Sequence, residues 1–333
     1  MADAINEENF GAANSSPVGD EHSGTVGGPS SSGMEEKRRL PIGIFDSGVG
    51  GLTVLAALLK RLPHEHYHYL GDTARLPYGT KSSATIVRYS LQVAERLVER
   101  HIKLLVVACN TATAAALPHL QKAYPHLPVL GVVEPGAQAA CKVSRSGKIA
   151  VLGTESTIRG QAYTRAIQAL RPEAKVTGIP CTLFVSLAEE GWMTGDVAKA
   201  VAVRYLAPVL GGGFDRSNAP DCLVLGCTHF PPLAPVIQSV VGDGVVLVDS
   251  AATTAEAVED RLRELELLRP EQPADPAGTD TPSPAAFLAN GLDAGVLSRL
   301  HFLTTDAPER FARVGGLFLG MPLDPDSLEL VTL

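Results

Sequence analysis

The sequence predicts an α/β fold of two similar domains, each with a mainly parallel sheet flanked by helices. Three observations predict it. Short apolar runs alternate with helix-length amphipathic stretches, the pattern of a parallel sheet. A chain of 333 residues, at ~150 residues per domain, gives two domains. A faint internal repeat joins the halves. IGIFD at 42–46, followed by Ser47, resembles IAVLG at 149–153, followed by Thr154. LLVVAC at 104–109, followed by Asn110-Thr111, resembles CLVLGC at 222–227, followed by Thr228-His229. The two offsets differ by a length that the loop 211–220 can absorb.

Residues 1–39 are rich in Gly, Ser, Asn and acid and carry no periodicity. Such a segment buries too little apolar surface to offset its ordering entropy, so it is expected to be a disordered tail. Its seven acids against three bases account for half of the net charge of −8. Strands are expected at 41–45, 67–70, 104–108, 129–133, 149–152, 176–179, 223–225 and 245–248. Each is short, often β-branched, and closes on Gly, Asp, Cys or Glu, as buried parallel strands do. A helix is expected at 84–100, with Ile86, Tyr89, Val93 and Leu97 on one stripe. Another is expected at 255–268, with Val258, Leu262 and Leu265 on one stripe and Ser250 as N-cap. Residues 269–284 hold Pro270, Pro273, Pro276, Pro282 and Pro284, which exclude helix interiors and central strands. They read as a surface insertion.

Composition removes several classes of function. An acidic chain with 5% aromatic residues is a poor match to a nucleic-acid binder. No apolar stretch reaches the ~18 residues of a membrane span, and the first thirty residues lack a signal-peptide core. Five cysteines, an odd number in a long chain, argue against a disulfide framework and for a reducing, cytoplasmic setting.

Ligands of open α/β sheets bind beyond the carboxyl ends of the strands. Polar residues cluster at such ends: Asp46-Ser47, Gly71-Asp72, Cys109-Asn110-Thr111, Glu134 and Cys227-Thr228-His229. A lone cysteine is most often a buried small hydrophobe, and Cys141, Cys181 and Cys222 keep that reading. Cys109 and Cys227 differ because they occupy matching positions in the two halves. Each follows an apolar strand and is expected to precede a helix, where backbone N–H groups and the helix dipole lower a thiol pKa from ~8.5. No CxxC is present, so no metal site is expected. Two thiols facing one carbon from opposite sides would take a proton from one face and return one to the other, inverting a stereocentre.

The glycines after the first strand invite a dinucleotide reading, with Asp72 as the ribose acid. The spacing fails, because the third glycine position is Thr53. The glycines then serve close backbone approach to a small anionic substrate. Asp46 reads equally as a proton-relay or amine-binding group and as a helix N-cap carboxylate. His229, two residues beyond Cys227, is either structural or an acid/base assistant. His64-Glu65-His66 reads as a solvated loop, and Gly211-Gly212-Gly213 as a flexible one.

Several motifs then coincide in order. GIFDSGVGGLT at 43–53, Pro77-Tyr78-Gly79, Cys109-Asn110-Thr111-Ala112, GVVEPG at 131–136, GTESTI at 153–158, GCTHFP at 226–231 and Val248-Asp249-Ser250 resemble the glutamate racemases of the aspartate/glutamate racemase family. The resemblance runs over about 40–268 and resumes at 302–319. It implies cofactor-independent interconversion of L- and D-glutamate, with D-glutamate feeding peptidoglycan and hence cell-wall synthesis. By that likeness Cys109 and Cys227 are the catalytic acid/bases. Asp46 assists on the Cys109 side and His229 on the Cys227 side. Asp46-Ser47, Tyr78-Gly79, Asn110-Thr111 and Thr228-His229 line the substrate, with Thr154 and Thr157 helping to hold it. Glu189 matches a further polar site residue. The likeness implies a first domain over 40–133 and 243–333, interrupted by a second over 134–242, with the site in the cleft between them. It also implies a homodimer, with no nucleic-acid or membrane partner. The tail, the 269–284 insertion, Ser186 and Gly160 depart from the family pattern.

Two alternatives stay open. One is a related racemase acting on aspartate or another amino acid, although Thr228-His229 favours glutamate by resemblance. The other is a non-catalytic amino-acid-binding regulator that keeps the fold.

Overall fold

The apolar runs become strands because helices cover both of their faces. The computed structural model of the chain describes residues 31–210, 219–270 and 297–333. The first sheet holds β1 (Ile42–Asp46), β2 (Tyr67–Gly71), β3 (Leu104–Val107), β4 (Val129–Gly131), β9 (Leu300–Thr304) and β10 (Leu328–Leu330). Its order is β10-β9-β2-β1-β3-β4, and every pair is parallel. The second holds β5 (Lys148–Gly153), β6 (Lys175–Pro180), β7 (Cys222–Leu225) and β8 (Val246–Asp249) in the order β6-β5-β7-β8, again parallel. The fold is the expected two-sheet α/β arrangement.

The internal repeat is visible in this order. β1 and β5 occupy the same place in their sheets, and so do β3 and β7. In each sheet the order reverses between these two strands, and the crevice beyond their carboxyl ends is where open α/β sheets bind ligands. Cys109 follows β3 by two residues, and Cys227 follows β7 by two.

The helices in chain order are α1 (Ser31–Arg39), α2 (Leu52–Arg61), α3 (Ser83–Val98), α4 (Asn110–Ala123), α5 (Val133–Val143), α6 (Glu155–Arg159), α7 (Ala162–Leu170), α8 (Thr182–Glu189), α9 (Gly195–Leu210), α10 (Ala234–Val241), α11 (Ser250–Glu264) and α12 (Pro308–Leu319). One buried apolar cluster runs from Ile42, Ile44 and Leu55 of the first sheet's body to Ala150, Leu152 and Leu225 of the second. Separate clusters cover the outer face of each sheet.

Several local expectations change. Residues 31–39 of the expected tail are helical as α1; the rest of the tail lies outside the described residues. So do residues 271–284 of the Pro-rich segment and Gly211-Gly212-Gly213. β8 pairs with β7 in the second sheet, on the far side of the boundary expected at 243. Asp249, not Ser250, caps α11: its carboxylate accepts from Ala251 N at 2.8 Å, whereas the Ser250 hydroxyl donates to Leu225 O. β9 and β10 were not expected.

His64-Glu65-His66 is not a solvated loop. Glu65 is 2% exposed and pairs with the buried ammonium of Lys103, which also donates to Arg38 O and Leu267 O. The second Glu65 oxygen accepts from Arg269 N at 2.9 Å. A buried carboxylate persists only where it is paired in this way. Burial and the nearby Arg269, Arg299 and Lys103 charges push His66 down to about 4.

Candidate active site

The site assembles at the carboxyl ends of both sheets. Cys109 is the N-cap of α4, with its sulfur accepting from Ala112 N at 3.4 Å and lying 3.6 Å from Ser47 Oγ. Asp46 ends β1 and is fully buried. One carboxylate oxygen accepts from Gly48 N at 3.1 Å, and the other, Oδ1, has no hydrogen-bond partner in the protein. The helix terminus does not lower the Cys109 pKa as expected. Burial and the Asp46 carboxylate outweigh Ala112 N and Ser47, so the thiol is pushed up to about 12.

Cys227 sits in a turn, not at an α-helix start. The turn leads to a single 3₁₀ turn, Pro231–Leu233, before α10. Its sulfur is 3.9 Å from His229 Nδ1. The other ring nitrogen, Nε2, is 3.1 Å from Glu189 Oε1 at the end of α8. Glu189 Oε2 in turn accepts from Arg310 Nη2 of α12 at 2.8 Å. The Phe318 ring, also on α12, meets the imidazole edge-on at 5.1 Å. Burial opposes charging of His229, but the bonds to Cys227 and Glu189 prevail and push it up to about 10. Burial likewise works to raise the Glu189 carboxyl, and His229 and Arg310 hold it below the usual carboxylate range instead.

Hydroxyl and amide groups span the two halves. Thr111 Oγ1 lies 2.9 Å from Thr154 Oγ1 and 3.1 Å from Thr157 Oγ1, which are 3.0 Å from each other. Asn110 Oδ1 accepts from Tyr163 OH at 2.7 Å, leaving its buried Nδ2 without a partner in the protein. Gly79 passes so close to Thr154 that a Cβ there would come within 2.8 Å of the threonine Cβ. Gly50 backs onto Thr228 and His229 in the same way. Thr53 Oγ1 donates to Thr228 O at 3.1 Å, tying α2 to the Cys227 turn.

These contacts gather the residues singled out in the sequence into two sets. Asp46, Ser47, Cys109, Asn110 and Thr111 form the first-sheet side, joined by Tyr78-Gly79 through Thr154 and Thr157. Cys227, Thr228, His229 and Glu189 form the second-sheet side. The Glu189 carboxylate is taken up by His229 and Arg310. Cys141 and Cys222 lie away from both thiols, whereas the fully buried Cys181, just past the carboxyl end of β6, is near enough to Cys227 to interact with it electrostatically. All five cysteines are free of disulfides.

Two supporting residues, Tyr163 and Arg310, were missed, and a third, Asp72, was singled out without its role. Asp72 is not a ribose ligand: it accepts from Tyr78 OH, from Arg75 Nε at 2.7 Å and from Thr305 Oγ1 at 3.0 Å, holding the Tyr78-Gly79 turn in place. Its position at the end of β2 singled it out in the sequence, but its partners there, Tyr78, Arg75 and Thr305, come together only in the fold. Tyr163 and Arg310 sit inside helices and leave no local signal. Among the described residues, no helix is long and apolar enough to cross a membrane.

Comparison with known proteins identifies the family. Residues 46–258 match the family model described as Asp/Glu/hydantoin racemase. A glutamate racemase of Geobacter metallireducens is 49% identical over 279 residues, covering 84% of this chain and 92% of that protein. The crystal structure of a glutamate racemase from Francisella tularensis, in complex with D-glutamate, superposes with a TM-score of 0.73 at 33% identity, covering 89% of this chain and 98% of that one. A glutamate racemase isoform from Bacillus anthracis superposes with a TM-score of 0.75 at 32% identity and the same coverage. This chain belongs to the Asp/Glu/hydantoin racemase family.

Proposed function

We propose that the chain is a glutamate racemase that works without a cofactor, using Cys109 and Cys227 as a paired acid and base. One observation carries the reading: two buried, disulfide-free thiols stand at the equivalent switch points of two like sheets. The α-hydrogen of an amino acid is very weakly acidic, so position and electrostatics must supply most of the help. One sulfur takes the α-hydrogen, forming its S–H bond as the C–H bond breaks. The other sulfur gives up its proton to the opposite face of the same carbon. The roles exchange for the other enantiomer.

The surrounding groups suit glutamate with two carboxylates and an ammonium. The unpartnered Asp46 Oδ1 is an acceptor for the ammonium. The unpartnered Asn110 Nδ2 is a donor for a carboxylate. The hydroxyls of Thr111, Thr154 and Thr157 supply further donors. Ser47 attends the Cys109 sulfur, and Thr228 and His229 attend Cys227. The charge that His229 holds offsets the negative charge passing through that half of the site. D-glutamate for peptidoglycan, a cytoplasmic setting and a homodimer belong to the same proposal. They rest on the likeness to racemases and on thiols that must stay reduced.

The test is a substrate panel with purified protein and no added cofactor, followed by circular dichroism. The L-glutamate signal is expected to decay to zero, faster than that of L-aspartate. Faster decay of aspartate would reassign the substrate. No decay of either would refute the racemase reading.

A further inference from the structure

Arg310 lies on α12, which follows β9 in the body of the first sheet. Glu189 ends α8, which follows β6 of the second. Their ion pair at 2.8 Å therefore bridges the two bodies beside the Cys227 half of the site. The carboxylate divides its two oxygens, Oε2 to Arg310 and Oε1 to His229 Nε2. With Nε2 engaged, the imidazole turns Nδ1 toward the Cys227 sulfur at 3.9 Å. Phe318, two turns further along α12, packs edge-on against the same ring at 5.1 Å.

We propose that Arg310 is a positioning residue for the Cys227 half-reaction, acting through Glu189 and His229. It holds Glu189, and Glu189 holds the imidazole at the angle that faces the sulfur. A carboxylate held at one oxygen only is free to rotate away toward solvent, and the imidazole then loses its fixed orientation. The inference rests on the racemase reading.

Its signature is one-sided. Enantiomers have equal free energy, so kcat/KM must be the same in the two directions for any variant, and a rate alone cannot locate a defect. The primary isotope effect of α-deuterated substrate can, because it reports which proton transfer limits each direction. Arg310 is half-exposed, so its removal should cost about twofold to fivefold in kcat/KM. In Arg310→Met, the isotope effect should rise for the enantiomer whose α-hydrogen goes to Cys227 and not for the other. Glu189→Gln should show the same asymmetry, for the same enantiomer and with a larger rate loss. Arg310→Lys should recover most of the rate. Unchanged kcat/KM in Arg310→Met would overturn the proposal. So would a loss that leaves the two isotope effects equal, or one that Lys does not rescue while the thermal transition stays at the wild-type midpoint. A wild-type chain that fails to racemise glutamate would instead overturn the underlying function, and this inference with it.

Discussion

Gly50→Ala should damage the Cys227 half-site without unfolding the protein. A methyl built at Gly50 would meet Thr228 Oγ1 at 2.5 Å and His229 Cε1 at 2.5 Å. That is about 1 Å short of ordinary van der Waals contact. The imidazole has little room to retreat. Glu189 holds it on one side at 3.1 Å, and Phe318 closes another at 5.1 Å. Thr228 is tied to α2 through Thr53. The turn carrying Cys227 must therefore shift by much of that 1 Å. A displacement of this size at a reacting group costs about 10²-fold in rate, or ~2.7 kcal/mol of transition-state stabilisation. The overpacking itself costs ~1–3 kcal/mol of stability. Circular dichroism gives kcat/KM, and thermal unfolding gives the second quantity. Gly244→Ala is the control, since a Cβ there meets nothing within 4 Å. Wild-type kcat/KM in Gly50→Ala would refute the close packing of His229 against this loop.

Three further outcomes follow from the contacts described. Lys103→Met leaves the buried Glu65 carboxylate with only the Arg269 guanidinium, 4.0 Å away, and should cost ~3 kcal/mol of stability, read from denaturant midpoints. Lys103→Met with Glu65→Leu should recover much of that loss, and an undestabilised single variant would contradict the pairing. Cys109→Ser and Cys227→Ser should each abolish racemisation, whereas Cys141→Ser, Cys181→Ser and Cys222→Ser should keep it; an equally active Cys227→Ser would sink the two-base mechanism. The folded pKa of His229 is raised from 6.5 to about 10, so its stabilising contribution is full below pH 6.5 and is lost as pH rises through about 10. The gap in thermal midpoint between wild type and His229→Gln should therefore narrow across that window, and a constant gap would contradict it.

The strands were legible because helices cover both faces of each sheet, so β1, β3, β5 and β7 read as unbroken apolar runs. β9 and β10 were not. Leu300 pairs with Tyr67, more than 200 residues upstream, and β10 is a three-residue edge strand. The two thiols were legible because a strand followed by a cysteine recurs in matching places. Their electrostatics were not. The helix start beside Cys109 is written locally, but the burial and the Asp46 carboxylate that outweigh it come together only in the fold. Glu65 misled for the same reason: its tripeptide looks solvated, while its partners are Lys103 and Arg269. Arg310 lies 121 residues from Glu189, and no pattern within α12 marks it.

The most direct test of two thiols acting from opposite faces is the fate of deuterium at low conversion. L-glutamate is incubated in D₂O with purified protein and no cofactor, and both enantiomers are separated and analysed by mass. Two-base chemistry predicts deuterium at Cα of the D-glutamate formed, with the remaining L-glutamate still protiated. Deuterium appearing equally in recovered substrate and product would point to a single base and contradict the account.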